Sequence, residues 1–318
     1  MMNKNDWWKD AVVYQIYPQS FKDSNNDGIG DINGIREKIP YLKDLGVNVL
    51  WLNPIYESPM VDNGYDISDY YKIADCYGTM EDFENLLKEA HDAGIKIIMD
   101  LAVCASSIEH KWFKESKKSR DNKYSDYYIW KDPKEDGSAP NNWGSIFGSG
   151  SAWEYVEERG QYYLHLFAVE QPDLNWENPD LRNEVYENME FWLKKGIDSI
   201  SLISKKQDFP DDPTAGENGY GSPYFGASNG PRVHEFLQEM YEKVLSKYDV
   251  MTVGEATRTP VDKALLYCQP ERKELNMVFQ FDHMHVDYGK FGRYSDLKFK
   301  LSDLKEAMFL WQKSLNGV

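Results

Sequence analysis

The sequence predicts an α/β fold organised around a parallel β-sheet, either a closed barrel or a doubly wound open sheet. Six short apolar runs rich in β-branched and aromatic residues recur along the chain, as strands buried on both faces require. Stretches with helical periodicity lie between them, and a repeated strand, helix, strand order implies parallel pairing through right-handed crossovers. The length of 318 residues, 41% of them hydrophobic, is enough to bury a substantial core.

Taken in order, the first strand falls within "AVVYQIYP" (11–18), followed by a helix in "GIREKIPYLKDLG" (34–46). "VNVLWLNP" (47–54) is the second strand and "TMEDFENLLKEAHDAG" (79–94) the next helix, with Thr79 able to cap its start. The third strand lies in "IKIIMDLAV" (95–103). Residues 104–176 then interrupt the alternation with a Trp-, Tyr-, Gly- and Asn-rich stretch too long for an ordinary loop, which predicts a small inserted subdomain. "NPDLRNEVYENMEFWLKKG" (178–196) resumes the pattern as a helix that Asp180 could cap, and "GIDSISLI" (196–203) is the fourth strand. A helix at 230–248, strands in "VMTVGEA" (250–256) and "NMVFQFD" (276–282), and a helix at 295–317 complete it. Gly46, Gly94 and Gly196 stand where a left-handed helix stop is wanted. The implied division is a first barrel part at 1–103, the insert at 104–176 and a second barrel part at 177–318.

Composition excludes several classes of partner. With 53 acidic against 36 basic residues, the net charge of -17 repels nucleic acid and an anionic membrane surface alike. Cys76, Cys104 and Cys268 are odd in number and lack metal-type spacing, so neither a disulfide framework nor a zinc site is indicated. The start, "MMNKNDWWKD", has no signal-peptide apolar core, and no run approaches membrane-spanning length. These features predict a soluble, cytoplasmic protein.

Three constellations could carry chemistry. In "DSNNDGIGD" (23–31), Asp23, Asn25, Asp27 and Asp31 offer alternating oxygen donors around Gly28, and the Ile29 carbonyl adds another. That donor set suits calcium, although a turn held by side-chain hydrogen bonds has the same composition. In "VDNGYDISDY" (61–70), Asp62, Tyr65, Asp66 and Asp69 form a polar aromatic cluster of the kind that holds sugar hydroxyls, and also of the kind found in solvated turns. Glu255 closes "VMTVGEA", where partial desolvation at a strand end would raise its pKa and suit it to general acid catalysis; pairing with an Arg is the bland alternative. Glycoside hydrolysis needs a second carboxylate. Asp100 ends strand three, Asp198 comes early in strand four, and Asp173 in "QPDLNW" remains to line a cleft; none is convincingly placed as that partner.

Longer segments carry a family resemblance. "WWKDAVVYQIYPQSFKDSNNDGIGDINGI", "LGVNVLWLNPIYESPMVDNGYDISDY", "GTMEDFENLLKEAHDAGIKIIMDL", "PNNWGSIFGSGSAWEY" and "GQYYLHLFAVEQPDLNWENPDLRNEVY" together resemble the α-amylase superfamily of glycoside hydrolases, in its oligo-1,6-glucosidase and α-glucosidase branch. The resemblance implies a TIM barrel with a subdomain inserted after strand three, and a retaining mechanism on α-linked isomalto- or malto-oligosaccharides. It implies Glu255 as acid/base, and Asp62, Tyr65, Phe167 and Gln171 around the nonreducing-end glucose. It also implies a structural calcium on Asp23, Asn25, Asp27, Ile29 and Asp31.

Three departures accompany it. Cys104-Ala105 replaces the family's Asn-His. "GIDSISLISK" replaces a pattern that reads roughly G-I-D-G-F-R-M-D-V-I-N-L-I-S-K, so that both the Arg and the nucleophilic Asp are missing; an ungapped alignment puts Ser201 and Ile203 in their places. The sequence stops at "LNGV", ahead of the family's strands seven and eight, the transition-state-stabilising Asp and the C-terminal β domain. The expectation is therefore an incomplete barrel of about six strands, inactive or strongly impaired. A noncatalytic carbohydrate-binding role is the alternative, and open sheet edges invite self-association.

Overall fold

The computed structural model describes residues 7–148, 150–202, 211–213, 219–222, 229–288 and 297–315. After β1 (Val13–Ile16) and the single turn α1 (Pro18–Phe21) comes α2 (Ile32–Asp44). Asp31 caps α2 by accepting the Gly34 N–H, and Ile32, Ile35, Ile39 and Leu42 form its buried stripe. β2 (Val49–Leu52) precedes an antiparallel pair, β3 (Tyr56–Glu57) and β4 (Asp69–Ile73). α3 (Met80–Asp92) opens on a capping box in which Thr79 and Asp82 satisfy each other's backbone N–H, and buries Phe83, Leu86, Leu87 and Ala90.

β5 (Lys96–Asp100) leads into α4 (Lys111–Ser116), β6 (Trp130–Lys131), β7 (Trp153–Val156) and β8 (Gln161–Leu164). The last three strands form an antiparallel sheet in the order β6-β8-β7. Ile129, Trp143, Ala152, Trp153, Leu164 and Leu166 pack as an apolar cluster separate from the main core. The chain then alternates through α5 (Pro179–Lys195), β9 (Ser199–Leu202), α6 (Val233–Lys243), β10 (Met251–Glu255), α7 (Val261–Cys268), β11 (Met277–Phe279) and α8 (Leu301–Ser314).

The six strands read from the sequence build one parallel sheet, β1-β2-β5-β9-β10-β11. It is strongly rolled. Trp51 on β2 and Phe279 on β11 stand four strand positions apart, yet their rings stack with centroids 4.9 Å apart and planes within 3°. Four flat strand spacings would separate them by ~19 Å. Inside the curl, Val49, Ile98, Met251 and Val253 pack together; outside it, helices cover the sheet, with Trp192 of α5 edge-on to Phe83 and Tyr56, each at 5.4 Å. No hydrogen bonds join β1 to β11 among the described residues, so the described sheet is curled and open.

Local differences from the sequence reading have simple causes. Asn178, not Asp180, caps α5, because Pro179 occupies the first helical position and puts the cap one residue earlier. Helix α7 was not anticipated: its eight residues are too few for a clear period. The helix expected at 295–317 is observed from Leu301 to Ser314. Gly46, Gly94 and Gly196 do take left-handed conformations, with φ of 88°, 78° and 104°. No described helix is long and apolar enough to cross a membrane.

Candidate functional site

At the C-terminal end of β2 the chain loops outward, and a buried carboxylate shapes it. Asp66 accepts from Ser58 Oγ at 2.9 Å and from the backbone N–H groups of Val61 and Asp62 at 3.1 Å each. Gly64, with φ of 99°, lies where an added Cβ would meet the Pro54 carbonyl oxygen at 2.9 Å. The loop therefore holds Asp62 and Tyr65 in place, and Asp66 is their scaffold. Asp69 is also structural, accepting the Tyr71 N–H at 2.8 Å.

Asp62 Oδ2 accepts from Gln171 Nε2 at 3.0 Å, and Gln171 Oε1 is itself held by the Ala168 N–H at 3.1 Å. Burial raises the pKa of Asp62, the Gln171 hydrogen bond opposes that shift, and the charge of Asp66 adds to it. Tyr65 donates its hydroxyl to Asp100 Oδ2 at 2.6 Å and accepts from Asn53 Nδ2 at 2.7 Å; Asn53 Oδ1 in turn accepts from Gln15 Nε2 at 3.0 Å. Burial, with the neighbouring Asp100 charge, drives the Tyr65 pKa far up, so its hydroxyl stays protonated and donates.

Glu255 is the last residue of β10, and its Oε1 accepts from Thr257 Oγ1 at 3.1 Å. Its side chain reaches solvent through the cleft, yet the protein packed around it raises its pKa by burial, which the Thr257 hydrogen bond only partly offsets. A carboxyl group so placed keeps its proton to higher pH and can donate it.

Asp62, Tyr65 and Glu255, singled out from the sequence, and Phe167 and Gln171, implied by the resemblance alone, line one cavity of about 230 Å³. Phe147, which the sequence reading passed over, completes an aromatic wall, its ring 5.4 Å from that of Phe167. No spacing signals Phe147, because it comes from an irregular stretch between β6 and β7. Cys104, Ala105 and Ala102 make the remaining wall small and apolar. A second cavity of about 340 Å³ shares Tyr65, Ala102 and Glu255 with the first and extends into the rolled sheet, past Asp100.

The other acids divide clearly. Asp100 is level with Ser201 of β9 and lines the second cavity with Glu255. Asp198 sits at the opposite end of the strands, where it accepts from His91 Nε2 at 2.9 Å, Lys96 Nζ at 2.8 Å and the Ile97 N–H at 2.9 Å, tying α3 and β5 together. Asp173, left by the sequence as available to line a cleft, is fully buried, with Oδ2 accepting the Leu166 N–H at 2.6 Å and its backbone bridged to Ala105. β9 reads Ser-Ile-Ser-Leu, with Leu202 level with Gly254, and supplies no carboxylate. Ile203 and the following Ser-Lys lie outside the described residues.

In the 23–31 loop, Asp23 accepts the N–H groups of Asn25, Asn26 and Gly28 at 3.0, 2.6 and 2.9 Å, Asn25 accepts that of Asp27 at 2.9 Å, and Asp27 that of Ile29 at 2.8 Å. These bonds, that of Gly28 foremost, lower the pKa of Asp23. Asp31 serves chiefly as the α2 cap and receives Ser24 Oγ at 2.8 Å. No group of three or more His, Cys, Asp or Glu is disposed around a metal position among the described residues. The all-oxygen donors, an amide and a carbonyl included, do fit the chemistry of a hard cation.

A rolled parallel sheet with its polar cleft at the C-terminal strand ends belongs to the α/β class that carries chemistry on its βα loops. More specifically, the chain belongs to the Alpha-amylase family: the family described as "Alpha amylase, catalytic domain" matches residues 15–318. It is 58% identical to an oligo-1,6-glucosidase of Parageobacillus thermoglucosidasius over 98% of this chain and 56% of that protein. It is 55% identical to a trehalose-6-phosphate hydrolase of Bacillus subtilis over 98% of this chain and 55% of that protein. The crystal structure of Bacillus licheniformis trehalose-6-phosphate hydrolase superposes with a TM-score of 0.91 at 53% identity, covering 98% of this chain and 56% of that one. The chain thus spans about half the length of the curated relatives it matches. Their names differ at nearly equal identity, so identity alone does not assign a substrate.

Proposed function

We propose that this chain is an α-glucosidase-type glycoside-hydrolase scaffold that binds the nonreducing glucose of an α-linked gluco-oligosaccharide and hydrolyses it slowly or not at all. The observation that carries this is the convergence of Asp62, Tyr65, Phe167, Gln171 and Glu255 on one cavity. An Asp carboxylate and a Gln amide give paired acceptors and donors for adjacent hydroxyls, while the Phe rings pack on the C–H face of a sugar. Glu255, with its raised pKa, would protonate the leaving oxygen.

What opposes turnover is the composition of β9. A retaining glycosidase needs a carboxylate about 5 Å from the acid/base to form the covalent intermediate. Ser199, Ile200, Ser201 and Leu202 offer none. Noncatalytic carbohydrate binding is thus the second reading, favoured by the same strand. The test is a paired experiment with isomaltose: calorimetry should give saturable heat that Asp62→Asn abolishes, and an assay of released glucose should give almost none. No heat at millimolar ligand would refute the binding pocket.

The same reading covers the features that support it less directly. It places an incomplete TIM-type barrel around residues 104–176 as an inserted subdomain, calcium on Asp23, Asn25, Asp27, the Ile29 carbonyl and Asp31, and the protein in the cytoplasm. Self-association through the open sheet edges is supported by the apolar side chains that flank them.

A further inference from the structure

We propose that a third cavity, at the N-terminal end of the strands, binds a small zwitterion that joins an alkylated ammonium to a carboxylate. The cavity, of about 280 Å³, shares no residue with the two beside Glu255, so the inference is independent of the glucose reading. Thr252 of β10 and Asn276, just ahead of β11, line it and are tied together, the Thr252 N–H and Oγ1 donating to Asn276 Oδ1 at 2.9 and 3.1 Å. A single turn of 3-10 helix, Trp7–Asp10, contributes Trp7 and Trp8, and α6 contributes Tyr241. Trp7 and Trp8 also pack on the apolar residues inside the curl, which fixes the two rings where they stand.

Cations already lie on both indoles. Lys9 Nζ is 5.3 Å from the Trp8 ring centroid and Lys96 Nζ 4.6 Å from that of Trp7. An indole face attracts an ammonium, most strongly where water is excluded. Lys96 is committed elsewhere, since its ammonium also donates to Asp198 at 2.8 Å, whereas Lys9 is exposed and so exchangeable. The lining carries charge of both signs, in Lys9, Lys273, Asp249 and Glu274. Glu274 is buried and already bound by His234 Nδ1 at 2.7 Å, Gln238 Nε2 at 3.1 Å and Arg272 Nη2 at 2.7 Å, so its charge is met inside the wall. Asp249 and Lys273 are exposed. A ligand ammonium that takes the place of Lys9 on Trp8 has Asp249 as counter-charge, and frees Lys9, with Lys273, for a carboxylate on the same ligand. A neutral apolar molecule would displace Lys9 with no charge to replace it, and a plain anion would lie against the negative ring face.

The test is calorimetric titration of the whole chain with three probes of nearly one shape: glycine betaine, which carries both charges; choline, which lacks the carboxylate; and 3,3-dimethylbutanoate, which lacks the ammonium. Glycine betaine should bind saturably, and 3,3-dimethylbutanoate about tenfold more weakly or worse. Choline should fall between them, and Lys273→Ala should bring glycine betaine down toward choline. Trp8→Leu and Tyr241→Leu should each weaken glycine betaine and choline together; circular dichroism identifies a variant that fails to fold, and the other then decides. No saturable heat with glycine betaine overturns the site. Equal affinity for glycine betaine and 3,3-dimethylbutanoate overturns the ammonium assignment, and indifference to Lys273→Ala overturns the carboxylate one. Affinity unmoved by both aromatic variants overturns the assignment to this cavity.

Discussion

At the scale of single residues, Glu255 gives the site a titration with a definite sign. Burial raises its folded pKa, so the native state holds a proton that the unfolded chain has already released. The resulting stability is fully present below the ordinary carboxylate value and is lost as pH rises through the raised one; Asp62 acts in the same direction. Glu255→Gln does not titrate. Its urea midpoint should therefore gain on that of the parent as pH rises from the ordinary carboxylate value through the raised one, and a difference constant with pH would contradict the desolvated carboxyl. Sequence showed Glu255 because it ends a buried run. The early position of Asp198 in its strand already pointed to a structural role, but the sequence could not show that Asp66 is a scaffold residue or that Asp173 is sealed inside, because an acid's role depends on which backbone N–H groups the fold brings to it.

Elements were the most legible level. Each of the six parallel strands is short and apolar, and burial on both faces writes that pattern directly into sequence. α3 announced itself through Thr79 and Gly94 at its ends. The antiparallel β3–β4 pair was hidden because one partner is only two residues long, and α7 for want of length. The 23–31 loop is the element whose occupant is most open to measurement. Its backbone is already held by Asx hydrogen bonds, so a cation would add charge neutralisation to a formed turn. Millimolar calcium should raise the melting temperature by several degrees, and Asp27→Ala should remove the rise. An unchanged melting temperature in the parent would refute the calcium proposal.

For the molecule as a whole, the roll of the sheet and the apolar surface beside it are two sides of one geometry. Stacking of Trp51 on Phe279 brings β2 and β11 together across the curl, with no hydrogen bonds between β1 and β11 among the described residues. α8 is anchored by Trp311, whose Nε1 donates to Asp282 at 2.7 Å, while Leu301, Phe309 and Leu310 on the same helix are 56%, 66% and 47% exposed. Val12 and Val13 are exposed at the β1 side. Unpaired strand edges next to apolar surface favour association between copies. Sedimentation should show mass rising with concentration in the micromolar range, and Phe309→Lys should weaken it; a monomer at every concentration would refute self-association. The strand and helix alternation left a closed barrel and a doubly wound sheet open, and only the family resemblance implied the roll, because it depends on two rings four strands apart meeting in space.

The central claim is that a sugar-binding cavity survives beside a catalytic strand without its carboxylate, and glucose release from isomaltose tests it most directly. Measured beside the Parageobacillus thermoglucosidasius oligo-1,6-glucosidase under the same conditions, this chain should be slower by about 10⁴-fold or more, the usual consequence of losing one member of a catalytic unit. A rate within about tenfold of that enzyme would contradict the account, since such a rate requires a second working carboxylate.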